Sequence, residues 1–313
     1  MITSIADISL PVNETLRIRK NRFCAADGTA GKRLSVVTGI HGDELEGQYV
    51  CYETARRLRE HPEWLHGTVD LYPALNPLGI DSITRGIPRF DLDMNRIFPG
   101  IPDGSMTEYL ATRIVEDLTG SDLCVDIHAS NIYLTEMPQI RINRLHRDRL
   151  VPLAEAANVD FVWIHEASTV LESTLAHTMN SRGVPTLVVE MGVGMRLTPE
   201  YGLQMTDGLF SLMHTLGIWS GPTAIPRTPL ISERPEDVAF FNSPCSGLFV
   251  KEKNHGSRIR RKDRIGFVCS PFTGETLAEI FAPADGLLFT IREFPIVEEG
   301  SLLGRMLCLG GNN

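Results

Sequence analysis

The stretch "LSVVTGIHGDELEG", Leu34 to Gly47, decides how the chain is read. A largely apolar run, the pattern of a buried strand, ends on His41. Glu44 follows three positions later, where "ELEGQYVCYETARRLRE" begins a helical pattern of Leu45, Tyr49, Tyr52, Ala55 and Leu58 that Pro62 stops. A strand-to-helix corner of this kind lies where open parallel sheets bind their ligands.

The same alternation continues to about residue 220. "TVDLYPAL", "DLCVDIH", "VDFVWIH" and "PTLVVEMG" read as further strands. "TEYLATRIVEDL", with Thr107 as a candidate cap, and "YGLQMTDGLFSLMHTLGI" read as helices. Strands separated by helix-length segments predict an α/β fold, a mixed, mainly parallel sheet flanked by helices.

After Trp219 the texture changes. "SGPTAIPRTPLISERPED" carries four prolines and little periodicity. Beyond it, "SPCSGLFV" from Ser243 is echoed by "APADGLLF" from Ala282, with Pro244 to Pro283 and Gly247 to Gly286 both 39 residues apart. Two related β units predict a small C-terminal all-β barrel or sandwich. The expected organisation is an α/β domain over residues 1–222, a Pro-rich linker over 223–240 and a β domain over 241–313.

Three apolar runs end on groups able to bind a metal or act beside one: His41, His128 and Glu190. Glu44 sits one helical turn from His41. His41, Glu44 and His128 make a two-histidine, one-carboxylate set that leaves a fourth position open, as at a catalytic zinc. A glutamate in a first helical turn also suits the helix dipole without any metal, so the pair alone decides little. "VDFVWIH" ends on a histidine too, and His165 therefore competes with His128. His128 is preferred because Asp126 shares its strand face and offers a supporting carboxylate. Glu190, followed by "MGVG", reads as a general base that takes a proton from water and passes it to a leaving nitrogen; a plain ion pair is the bland alternative.

"NPLGIDSITRGIPRFDLDMNRIFPG", Asn76 to Gly100, reads as a polar loop over the strand ends. Arg85, Arg89 and Arg96 offer forked donors for carboxylates or oxyanions, unless they merely pair with Asp81, Asp91 and Asp93 at the surface. Arg182, shortly before Glu190, is a further candidate carboxylate contact.

Five motifs, "GIHGDELEG", "NPLG", "DLDMNRIFPG", "DIHAS" and "VVEMG", arrive in the order of the zinc carboxypeptidase-like superfamily. They most resemble its succinylglutamate desuccinylase/aspartoacylase branch, over roughly Leu34 to Arg196. The resemblance implies one zinc per chain on His41, Glu44 and His128, with Glu190 as base. It implies that Asn95 and Arg96 hold a substrate carboxylate. Arg85, matched through R-x-x-P-x-x-D, would polarise the scissile carbonyl, with Arg89 second. Some relatives use a late tyrosine to hold substrate; the last tyrosine here is Tyr201, so recognition of that substrate end does not transfer. The tail is similar to the lipoyl- or biotinyl-carrier-like domain of several bacterial members. "CSPFTGETLAEI" has no lysine to carry such a group, so the domain is expected to cover the active site or to build a homo-oligomer.

Composition bounds the rest. The chain has 313 residues and a formal charge of -9, which argues against a nucleic-acid binder. Six scattered cysteines without C-x-x-C spacing suit a reducing cytoplasm. "MITSIADISLPVNETL" lacks the pattern of a signal peptide, and no apolar run approaches the roughly 18 residues of a membrane span. The expected activity is a zinc-dependent amidohydrolase acting on an N-acyl amino acid or similar small amide. A metallocarboxypeptidase acting on short peptides and a non-catalytic binding or assembly protein are the rivals.

Overall fold

The computed structural model describes residues 1–26, 28, 31–166 and 172–309. Its central strand, β3 (Arg33–Thr38), feeds opposite cores from alternate residues. Leu34 and Val36 pack into one apolar cluster and Val37 into another. β3 is preceded by the antiparallel ribbon β1 (Ile2–Ser9) and β2 (Thr15–Cys24), and followed by β4 (Thr68–Tyr72), β5 (Leu123–Ala129), β6 (Leu134–Asn143), β7 (Phe161–His165), β8 (Thr186–Gly192) and β9 (Leu230–Ser232). The spatial order runs β1-β2-β4-β3-β5-β8-β6, and β7 pairs with β6 and with β9. β4, β3, β5 and β8 are mutually parallel, as are β6, β7 and β9; β8 meets β6 in antiparallel register.

Helices cover both faces. α1 (Glu46–Glu60) and α6 (Pro199–Thr215) share the cluster of Leu34, Val36, Val125 and Val189. α3 (Met106–Leu118) and α5 (Leu175–Ser181) share that of Val37 and Cys124. The short α2 (Pro77–Ser82) follows β4, and α4 (Arg147–Glu155) follows β6. The cap of α3 differs from expectation. Ser105, not Thr107, accepts from the Glu108 amide, and Glu108 answers at the Ser105 amide, closing a reciprocal box that satisfies two otherwise orphaned donors. Tyr52 also departs from the expected apolar face of α1. It is exposed, and Val50, Cys51 and Thr54 are buried instead.

The Pro-rich stretch is not wholly irregular, because β9 lies within it and extends the sheet beside β7. Eight strands follow: β10 (Val238–Asn242), β11 (Gly247–Lys251), β12 (Arg258–Ile259), β13 (Arg264–Cys269), β14 (Thr276–Phe281), β15 (Gly286–Arg292), β16 (Ile296–Val297) and β17 (Leu302–Cys308). They form two matching quartets. β10 pairs β17, β17 pairs β15 and β15 pairs β12; correspondingly β14 pairs β13, β13 pairs β11 and β11 pairs β16. Each half thus lends its short third strand to the other half. This is the physical meaning of the echoed "SGLF" and "DGLLF", which open β11 and β15. One quartet joins the main sheet, because β15 runs antiparallel to β6 with Thr290 opposite Glu136. Among the described residues, no helix is long and apolar enough to cross a membrane. All six cysteines are free.

Candidate metal centre

On the α3/α5 side of the sheet the strands change character toward their carboxyl ends. β5 places Cys124, Asp126 and His128 on that face, while Leu123, Val125 and Ile127 point the other way. Glu190 of β8 stands in register with His128. The β3-to-α1 corner brings His41 and Glu44 to the same place. That corner is set by close packing: a Cβ on Gly42 would lie 2.0 Å from the Gly79 carbonyl carbon, and Gly39 takes φ +67°, a backbone that favours glycine.

His41, Glu44 and His128 are each buried, with ligand atoms that all lie within 4.8 Å of one another. Nδ1 of His41 is 2.8 Å from Glu44 Oε1, and Nδ1 of His128 is 2.9 Å from Glu44 Oε2. The outer nitrogens face other carboxylates. His41 Nε2 is 3.0 Å from Asp93 Oδ1, and His128 Nε2 is 3.2 Å from Asp126 Oδ1. A carboxylate behind each imidazole fixes the ring and its tautomer, the support that metal-binding histidines receive. The amide of Ala129 and Nη1 of Arg85 also donate to Glu44, at 3.1 and 2.7 Å.

Two features fit this set to a divalent cation. First, the inward nitrogen of His41, though 2.8 Å from a Glu44 oxygen, and both oxygens of buried Asp126 lack a hydrogen bond of good geometry. Buried polar atoms left without partners are costly. Second, among the described residues Arg85 is the one guanidinium paired with Glu44 and Asp93, and Asp126 contacts none, so the cluster is formally anionic when its imidazoles are neutral. The titration behaviour says the same. Burial disfavours a charged His41, yet the neighbouring Asp93 and Glu44 carboxylates outweigh it and raise its pKa. His128 is raised further, because Asp126 and Glu44 overcome its desolvation. Burial would raise Glu44, but the two histidines hold it well below the usual carboxylate range. The site demands positive charge, and two nitrogens with one carboxylate suit zinc, although iron or cobalt use similar sets.

These residues line a cavity of about 520 Å³ that also receives Asn95, Arg96, Arg141, His165, Glu190 and Arg305. Burial raises the Glu190 carboxyl, opposed by Arg141, whose Nη1 lies 3.1 Å from Glu190 Oε1. Asn95 follows Asp93 in a tight turn; its Oδ1 accepts from the Leu175 amide at 2.9 Å, tying the turn to the start of α5. Arg96 is exposed at the cavity wall. His165 lines the cavity from β7 but stands outside the His41, Glu44 and His128 cluster.

Two expected contacts are not brought to the cavity. Arg89 is exposed, at φ +75°, with its guanidinium over the Phe90 ring. Arg182 caps the end of α5 and is not among the residues that line the cavity. Conversely, Arg141, Glu136 and Arg305 line or support the cavity without a motif that marks them in the sequence, and Asp93 stands behind His41 rather than in a surface ion pair. A signal for Asp93 existed, since it adjoins the Asn95-Arg96 pair.

The sheet and helices that carry these groups have the fold of a metallo-carboxypeptidase. A metallo-carboxypeptidase from Burkholderia cenocepacia shares the fold at a TM-score of 0.53, with 12% identity over 69% of this chain and 64% of that one. The sequence model of the succinylglutamate desuccinylase/aspartoacylase catalytic domain matches residues 30–216, and the chain belongs to that family. A succinylglutamate desuccinylase/aspartoacylase from Rhodobacter sphaeroides superposes at a TM-score of 0.81, with 24% identity, covering 97% of this chain and 95% of that one. The N-alpha-acetyl-L-2,4-diaminobutyric acid deacetylase of Halomonas elongata is 28% identical over 82% of this chain and 76% of its own length.

Proposed function

We propose that the protein is a zinc-dependent amidohydrolase that removes an acyl group from an N-acyl amino acid or a related small amide. The observation that carries this reading is the convergence of His41, Glu44 and His128 in one cavity with Glu190 on the adjacent strand. Family membership and the likeness to a deacetylase support an acyl-amino-acid substrate.

His41, Glu44 and His128 would hold the metal, with Asp93 and Asp126 steadying the two rings. When bound, zinc supplies a Lewis acid that polarises an amide carbonyl and makes water a stronger acid. Glu190 takes the proton of the attacking water and passes it to the leaving nitrogen. Burial brings its pKa closer to working pH, which suits a group that must both accept and donate. Arg85, half-exposed beside Glu44, offers donors to the developing oxyanion. Asn95 and Arg96 fix a substrate carboxylate, with the Asn95 carbonyl oxygen committed to Leu175 and its NH2 left to donate. The proposed organisation is a catalytic unit over residues 1–222 joined through residues 223–240 to a β unit over 241–313. Free cysteines support a reducing, cytoplasmic setting.

The test is a panel of N-acyl amino acids assayed beside dipeptides with zinc-loaded protein. Turnover of the acyl-amino acids is expected. Turnover of dipeptides alone would make the protein a carboxypeptidase, and inertness toward both would favour a non-catalytic binding role.

A further inference from the structure

We propose that Arg305, from the C-terminal β region, is a positioning residue that holds Glu190 in place through Glu136 and Arg141. The inference rests on Glu190 being the base, and it assigns to β17 a part in the chemistry of a site built on other strands.

The chain of contacts is continuous. Arg305 Nη1 donates to Glu136 Oε1 at 2.5 Å, and the Thr290 hydroxyl donates to the same oxygen at 3.1 Å. Glu136 is fully buried, so its charge needs these partners. Arg141 Nη2 donates to both Glu136 oxygens, at 3.1 and 2.9 Å, while Arg141 Nη1 reaches Glu190 Oε1 at 3.1 Å. A guanidinium is planar and forked, so fixing one edge of it on Glu136 directs the other edge at Glu190.

Strand register explains how residues so distant in sequence align. Arg305 stands opposite Thr290, and Thr290 opposite Glu136, giving one row across β17, β15 and β6. Glu136 and Arg141 are five apart on β6 and would point to opposite faces of a regular strand. The register shift between Glu136 and Gln139 restores them to the same face. Trp163 of β7 packs against both guanidinium groups, each 5.8 Å from its ring centroid, and limits their movement.

Arg305→Met, Arg305→Lys, Arg141→Met and the Arg141→Met/Arg305→Met pair would be compared in kinetics and by crystallography. Arg305→Met should lower kcat about tenfold or more with KM changed less than about threefold, and Arg305→Lys should recover most of the loss. Because Arg305 acts through Arg141, the double variant should fall no more than about twofold below Arg141→Met alone. A rise in KM with unchanged kcat, or fully additive losses, would overturn the proposal. In crystals of Arg305→Met, Arg141 should leave Glu190 or occupy several positions; an unchanged contact would also overturn it. Should Arg305→Met fail to fold, Thr290→Val tests the same relay by removing one donor to Glu136. A smaller loss of kcat in the same direction is then expected, and no loss would overturn the idea. Inertness of the parent protein on every amide would sink the proposed activity, leaving the crystallographic comparison to decide the relay.

Discussion

Two buried charge clusters occupy the same sheet and settle their charges in opposite ways. At the β2/β4 edge, Arg22 grips Asp70 through two hydrogen bonds of 2.7 and 2.6 Å. Lys20 bridges Asp70 and Asp117 at 3.3 and 2.6 Å, and the Tyr72 hydroxyl donates to Asp117. Three cations, counting Arg33 at 3.8 Å from Asp70, face two carboxylates, and every carboxylate in the group has donors. At the strand ends, among the described residues, three carboxylates are accompanied by one guanidinium, and His41 Nδ1 and both Asp126 oxygens lack a hydrogen bond of good geometry. The first cluster closes on itself and serves the fold. The second is left open toward a cavity, which is sensible only where something else completes it.

The contrast breaks most sharply at Glu190. Glu190→Gln keeps the shape but removes the base, so kcat should fall about 10²–10⁴-fold while metal content and melting temperature hold. Near-normal turnover would remove Glu190 from the mechanism. Asp70→Asn should do the reverse. It leaves Arg22 and Lys20 poorly paired around a fully buried site, costing about 3 kcal/mol in urea unfolding with kcat intact. A loss of activity without a loss of stability would erase the distinction between the clusters. Asp126→Asn sharpens it further. Without the carboxylate behind His128, zinc affinity measured by competition with a chelator should weaken about 10–100-fold. Unchanged affinity would make Asp126 a bystander.

How far the sequence carried the reading follows the same division. His41, His128 and Glu190 were legible because each polar residue interrupts an apolar run, and Asp126 because a strand alternates with period two. The Lys20 cluster leaves a fainter trace: "TLRIRKNRFC" has the alternation of a strand with a lysine in an apolar slot, and nothing local marks its partners Asp70 and Asp117. Arginines were the weakest point. Arg85, Arg89, Arg141, Arg182 and Arg305 look alike in sequence, and loop conformation and strand register alone decide which of them reach the cavity. Arg141 was further hidden by the irregularity at Met137-Pro138, which breaks the alternation that would have paired it with Glu136.

Acid offers the smallest effect and the finest comparison. Burial by itself would raise the Asp70 carboxyl, but the Arg22 hydrogen bonds and the charge of Lys20 outweigh it and lower its pKa. In the unfolded chain the group returns to an ordinary value of about 3.9, so between the two values the unfolded state binds more protons. Asp70 therefore contributes its stability in full above about pH 4 and loses it as pH falls through the folded value. Stability measured from pH 6 to 3 should decline less steeply in Asp70→Asn than in the parent, and identical slopes would show that the pair does not govern acid behaviour. Adding zinc should leave that difference untouched, because Asp70 is already satisfied. At the open cluster the raised His41 and His128 must shed any protons they hold before metal binds, so zinc affinity should fall as pH falls. Titration calorimetry in two buffers of different ionisation enthalpy measures those released protons, and a heat independent of buffer would mean that the imidazoles are already neutral or take no part.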